Sequence, residues 1–185
     1  MIIGITGHAR HGKDSTADFI CKHFRYQKKA LADRMKSVCA LIFDWNEDHL
    51  YGDLKDKIDP RWGISPRHVL QSLGTEWGQH ELSKHDSFKE TTGRLLWTRS
   101  LLSQFPDDAN IVISDVRFLH EADEVRRRGG KIVMVRRPGY PVDLSHESER
   151  SIEEIKPYYV LRNASGLKEL EEDVMEMMKS PMFTT

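Results

Sequence analysis

The chain has 185 residues, 38% of them hydrophobic and 31% charged, with a formal net charge of -1. That is enough for one ordinary domain with a real hydrophobic core, and too apolar for a disordered chain. The near-neutral balance gives no whole-molecule attraction to nucleic acid or to an acidic membrane, so neither partner is expected.

Cys21 and Cys39 form no CxxC pair and no Cys/His metal spacing. Both fall among apolar residues of expected helices and read as reduced core thiols of a cytosolic protein. The opening apolar run lacks a basic leader and is too short to cross a membrane, so a cytoplasmic location is expected.

In chain order, residues 1–6 (MIIGIT) form a short apolar run that ends at glycine, a buried strand by pattern. From Lys13 the period changes, with Ala17, Ile20, Cys21 and Phe24 at helical spacing. YQKKALA is the expected second strand. Met35, Val38, Cys39 and Ile42 mark the inward face of the next helix. Residues 46–65 are polar and turn-rich. Pro66 opens a helix expected to run through His80, with Val69, Leu70 and Leu73 inward. Residues 111–114 are a second clean buried strand, EADEVRRRGG is a helix with a Gly-Gly stop, and KIVMV is another strand. A loop over 138–151, a strand at YYVL and a turn at NASG lead to a last amphipathic helix carrying Leu167, Leu170, Val174, Met177 and Met178. Strands alternating with helices predict an α/β fold, an open and mainly parallel sheet with helices on both faces. Ligands of such sheets sit at the carboxyl ends of the strands.

The stretch GHARHGKDST, residues 7–16, sits where a strand gives way to a helix. That is the setting of a phosphate-binding loop. Gly7 and Gly12 let the backbone curl so that N–H groups of Ala9, Arg10, His11 and their neighbours point inward, and the helix start adds a partial positive charge. Lys13 would bridge the outer phosphates. Asp14 stands where a serine or threonine is usual. Its carboxylate suits Mg²⁺, directly or through water. The alternative makes Asp14 a helix-start residue and leaves the ion to Ser15, with Thr16 close behind. Asp115, at the tip of the 111–114 strand, is the second candidate metal ligand, or else a helix cap. His8 and His11 are expected to turn their rings outward, and Arg10 to face phosphate or solvent.

The segments GKDSTADFI, LADRMK, VLQSLGTEWGQ, SDVRFLHEADEVRRRGGKIVMVRRPG, SHESE and RNASGLKEL, in this order, resemble the phage-type deoxynucleoside monophosphate kinases. The GKD loop by itself is also similar to phosphomevalonate kinases, so a kinase for another small phosphorylated acceptor is the alternative. Some members of the family carry an insertion before LQSLGT that is short here. The resemblance implies a three-layer P-loop NTPase fold of the nucleoside monophosphate kinase type. It also implies transfer of the γ-phosphoryl group of ATP, with Mg²⁺, to a deoxynucleoside monophosphate. One domain over 1–185 is expected, with a helical substrate-binding insertion over about 46–105 and a lid-like loop over about 138–151. An acceptor phosphate is already anionic at neutral pH, its second pKa being about 6, so no general base is required. Arg34, Lys36, Arg67, Gln71, Thr75 and Trp77 are the candidate acceptor contacts. Arg117 is expected to neutralise the transferred group, or to pair with Glu121 one helical turn on. Arg136 and Arg137 leave a strand at its carboxyl end, toward ATP. His146 and Glu149 either orient substrate from the lid or bond at the surface, and Asn163 either packs near adenine or caps a helix. A homodimer is compatible with the resemblance. A guanine-nucleotide switch is disfavoured because there is no Asn-Lys-x-Asp motif.

Overall fold

A computed structural model describes residues 1–183. They fold into two compact units, one made of 1–30 with 106–183 and the other of 31–105.

The first unit is a five-stranded sheet. Its strands are β1 (Ile2–Thr6), β2 (Gln27–Lys29), β3 (Ile111–Ile113), β4 (Lys131–Arg136) and β5 (Tyr159–Arg162), in the order β2-β3-β1-β4-β5. Every pairing is parallel. All five carboxyl ends therefore lie along one edge, which brings to that edge the residues after each strand. Residues of β1 alternate between the two faces. Ile3 and Ile5 join Ala17, Ile20, Leu170, Val174 and Met177 in a core fully shielded from solvent. That face is covered by α1 (Lys13–His23) and α9 (Leu167–Lys179), which also pack on each other. On the other face Gly4 meets Ile132, Val116 and Val125, and α7 (Leu119–Arg127) lies across β1 and β4. The sheet is thus covered on both faces, as the alternating pattern predicts. No helix of the described residues is long and apolar enough to cross a membrane.

The second unit is helical. It holds α2 (Ala32–Phe43), α3 (Glu47–Leu50), α4 (Pro66–Gln71), α5 (Asp86–Thr91) and α6 (Leu96–Leu102). Its core is Met35, Cys39, Trp45, Leu50 and Leu70. It begins at Leu31, so α2 belongs to it. Two expectations change here. Val38 and Ile42 are 44% and 60% exposed, so the buried stripe of α2 is narrower than its apolar spacing implies. The helix from Pro66 is α-helical only to Gln71, and Ser72–Glu81 winds as a π-helix whose end donates Leu82 N–H to Trp77 C=O. Two glycines sit where this winding meets its neighbours. A Cβ on Gly74 would lie 2.9 Å from Met35 Sδ, and one on Gly78 2.5 Å from the Trp97 indole nitrogen. Elsewhere in the unit Asp59 is buried and accepts from Trp45 Nε1 at 2.8 Å and Arg61 Nη2 at 2.8 Å. The Arg61 guanidinium outweighs desolvation and, with Trp45, holds this carboxyl far below the usual range.

Gly7 is the tightest point of the first unit. Its φ is +142° and a Cβ there would lie 2.3 Å from the Val135 carbonyl oxygen of β4. We expect Gly7→Ala to cost at least about 2 kcal/mol, from steric overlap added to an unfavourable backbone conformation. A urea titration should show a lower midpoint at unchanged slope.

Candidate active site

The loop between β1 and α1 curls as its glycines predict. Arg10 takes a left-handed conformation, φ 62°, and Gly12 another, φ 104°. His11 N–H closes a turn on His8 C=O at 3.3 Å. The first backbone bond of α1 runs from Thr16 N–H to Gly12 C=O at 2.9 Å. The N–H groups of a first helical turn have no acceptor within the helix, and they point along its axis toward the loop.

Lys13 is 8% exposed and its Nζ donates to His8 C=O at 2.8 Å. Burial is the chief cause that lowers its pKa, and the Arg117 guanidinium adds to it, so that the ammonium titrates at about 8. Glu149, Asp14 and Asp115 act in the opposite sense, which places all three carboxylates within electrostatic reach of the loop lysine.

Asp14 is exposed on the first turn of α1. Its Oδ1 lies 3.0 Å from Lys28 Nζ, which also holds Asp18. Desolvation raises its pKa, but Lys28, Lys13 and a bond from Ser114 outweigh this and keep the carboxyl below its usual value. Ser15 is half-buried and Thr16 fully buried. Asp115 stands two residues beyond β3, where Ser114 N–H bonds Lys29 C=O and Val116 N–H bonds Ile5 C=O. It does not cap a helix, because α7 starts four residues later behind Phe118. No group of three His, Cys, Asp or Glu side chains arranged for a metal is found among the described residues.

The histidine expectation is overturned. His8 and His11 are 6% and 4% exposed, and their rings meet edge to face at 5.3 Å. They turn inward because inward partners exist. His8 Nδ1 lies 3.1 Å from Glu149 Oε2 and its Nε2 2.9 Å from Glu153 Oε1. His11 Nδ1 accepts from Arg137 N–H at 3.4 Å. Burial first, then His8 and Lys13, lowers the His11 pKa.

Of the two alternatives for Arg117, the ion pair with Glu121 is not formed. That carboxylate accepts instead the backbone N–H of Arg117 at 2.8 Å and of Phe118 at 3.0 Å, and full burial pushes its pKa up to about 7. Nη1 of Arg117 turns to Glu149 Oε1 at 2.9 Å and Ser148 Oγ at 3.3 Å. Glu149 and Ser148 lie on the short helix α8 (Glu147–Arg150), inside the stretch read as loop. His146 caps that helix through Ser148 N–H rather than reaching outward. Arg136 is exposed and pairs with Glu153 at 3.0 Å, and Arg137 is stacked over Tyr140, 4.9 Å from its ring centre.

Asn163 is buried just beyond β5. It does not cap a helix, because α9 begins behind Gly166. Its Nδ2 donates to His11 C=O at 3.0 Å, and a Cβ on Gly12 would come within 2.7 Å of it. The amide braces the loop from behind. Sequence reasoning had no signal for Glu153, Ser148 or Lys28 as partners here, since no periodicity links them to the loop. The run SHESE marked His146 and Glu149 as candidates but said nothing of their partners.

In the second unit Arg34, Gln71 and Trp77 are exposed and Thr75 is half-buried. Lys36 Nζ lies over the Tyr51 ring at 3.6 Å, and Arg67 is paired with Asp56. These two therefore already have local partners.

A family model described as deoxynucleotide monophosphate kinase matches residues 50–174. A protein of Acanthamoeba polyphaga mimivirus described as a putative deoxynucleotide monophosphate kinase is 34% identical over 178 residues, covering 91% of each chain. The deoxynucleotide monophosphate kinase of Enterobacteria phage T4 is 24% identical over 132 residues, which is 69% of this chain and 50% of the phage protein. Among solved structures, dephospho-CoA kinase from Campylobacter jejuni aligns over 96% of this chain and 95% of its own, at 12% identity and a TM-score of 0.48. A curled glycine loop with a buried lysine at the end of β1, and relatives that match most of the chain, lead to one assignment: the chain belongs to the deoxynucleotide monophosphate kinase family.

Proposed function

We propose that the chain transfers the γ-phosphoryl group of ATP to a deoxynucleoside 5′-monophosphate, giving ADP and the deoxynucleoside diphosphate for DNA synthesis. The observation that carries this reading is Lys13, buried at the mouth of a glycine loop with Arg117 acting on it, in a chain of this family.

The loop binds the donor. Within 7–16 the N–H groups at the start of α1 face phosphate oxygens, and Lys13 leaves the His8 carbonyl to bridge the outer phosphates. An oxygen of the acceptor phosphate forms the new bond to Pγ as the bond from Pγ to the bridging oxygen of ADP breaks. The attacking oxygen is already anionic, so no protein base removes a proton. What the chain supplies is positive charge fixed where negative charge spreads, from Lys13 and Arg117, with Arg137 at the exposed rim. Asp14, Ser15 and Asp115 offer hard oxygens around that loop, a donor set that fits Mg²⁺. This ion keeps several waters and takes one or two carboxylates together with substrate phosphates. When bound, Mg²⁺ supplies charge neutralisation on the phosphate oxygens. Arg34, Lys36, Arg67, Gln71, Thr75 and Trp77 are assigned to the acceptor. Trp77 offers an exposed ring for a base and Gln71 an exposed amide for a base edge.

ADP release with ATP, Mg²⁺ and each of dAMP, dCMP, dGMP, dTMP and 5-hydroxymethyl-dCMP, against the ribonucleotides, tests the assignment. Acceptor-dependent turnover that Lys13→Ala lowers by at least about a hundredfold is expected. ATP binding without acceptor dependence would overturn it and point to other small phosphorylated acceptors. Asp115→Asn is expected to lower kcat about tenfold or more, and to raise the Mg²⁺ concentration at half-maximal rate, read from a metal titration.

Lys13 also makes donor binding depend on pH. A lysine whose pKa falls from 10.5 to about 8 on folding binds fewer protons than the unfolded chain between those values. It opposes folding fully below about pH 8, and that opposition fades as the pH rises toward 10.5. A polyphosphate beside it restores the ammonium. ATP binding near pH 8.5 should therefore take up a proton, and binding near pH 6.5 should not. Calorimetry in two buffers of different ionisation enthalpy reads the difference.

A further inference from the structure

The buried carboxylate of Glu149 is one that phosphoryl transfer does not itself require. It is 8% exposed, and a carboxylate taken from water is costly unless each oxygen is paired. Both oxygens are paired, and their partners lie on the phosphate site. Oε1 accepts from Arg117 Nη1 at 2.9 Å. Oε2 accepts from Ala9 N–H at 3.2 Å and lies 3.1 Å from His8 Nδ1. One carboxylate thus joins the arginine that follows β3 to the tip of the loop that follows β1. The chain of polar contacts continues through His8 to Glu153 and from there to Arg136 at the end of β4. Its own anchor is firm: Ile152 and Ile155, just beyond α8, are buried, and Arg150 holds Leu144 and Ser145 carbonyls.

The bonds to Arg117 are one-sided. Its guanidinium bonds to described residues run from Nη1 alone, to Glu149 and Ser148. Nη2 and Nε are left for substrate. A guanidinium held at one nitrogen presents its other edge in a fixed direction, the geometry that suits two phosphoryl oxygens.

We propose that Glu149 is a positioning residue for phosphoryl transfer, holding Arg117 in register with the phosphate loop. The proposal rests on the kinase reading above, and its role is exerted through Arg117 rather than on substrate. Replacing the carboxylate leaves the loop and its lysine able to bind ATP but lets the arginine wander.

The test is steady-state kinetics of Glu149→Gln, Arg117→Ala and the double variant in the full chain, with thermal melts alongside. Glu149→Gln keeps the shape and one acceptor oxygen, so it remains informative if Glu149→Ala does not fold. It is expected to lower kcat roughly ten- to hundredfold with KM for ATP and acceptor within about threefold, as for a misplaced catalytic group. In the Arg117→Ala background the same change should have no further effect on kcat, since coupled groups are not additive. Additive losses would overturn the proposal, because Glu149 would then act by some other route. So would an unchanged kcat, or a lower KM for ATP with kcat intact, which would make the carboxylate a competitor for the loop. A wild-type chain with no acceptor-dependent ADP would instead refute the kinase reading itself.

Discussion

The chain crosses from β1 into its loop with no space to spare. At Gly7 the backbone passes so close to the Val135 carbonyl that any side chain would overlap it, and the rest of the site follows from that approach. Because the loop is held against β4, its carbonyls turn to fixed places. His8 C=O receives Lys13 and His11 C=O receives Asn163. The first-turn N–H groups of α1, which have no acceptor within the helix, begin where this loop ends. The parallel sheet brings Asp115, Arg136 and Asn163 to the same edge, and of these Asn163 braces the loop.

Charge in the first unit is arranged in alternation rather than as a basic patch. Arg117 stands near Lys13 and raises the electrostatic cost of its ammonium. Glu149 between them and the loop tip relieves it, and Glu121 ties down the backbone on which Arg117 sits. A site that must hold a polyanion and still release products benefits from positive charge already partly balanced.

Much of this was legible in the sequence, and the limits have physical causes. The strands at 2–6, 111–113 and 131–136 are short apolar runs between turn residues, and their burial leaves a direct trace in composition. The phosphate loop was legible because glycines at fixed spacing before a lysine answer to one backbone geometry. The π winding of 72–81 left no trace, since an apolar stripe reads alike whether turns hold four residues or five. Nor did the burial of His8 and His11, because a loop histidine carries no periodic signal. The inward turn of His8 depends on Glu149 and Glu153, and that of His11 on the Arg137 N–H, all far along the chain. The exposure of Val38 and Ile42 shows the converse error, apolar residues at helical spacing that the unit's own core does not cover.

The order of the strands bears on how the chain is made. β1 is the central strand and precedes the other four in the chain, yet its neighbours are β3 and β4. Ile2 must wait for Ile111 and Gly4 for Ile132, and the whole of 31–105 is translated in between. Throughout that interval the segment IIGIT has two unpaired edges and no charge. Non-local pairing of this kind is slow to form and open to wrong partners. On the ribosome, this nascent strand therefore needs shelter until its partners arrive.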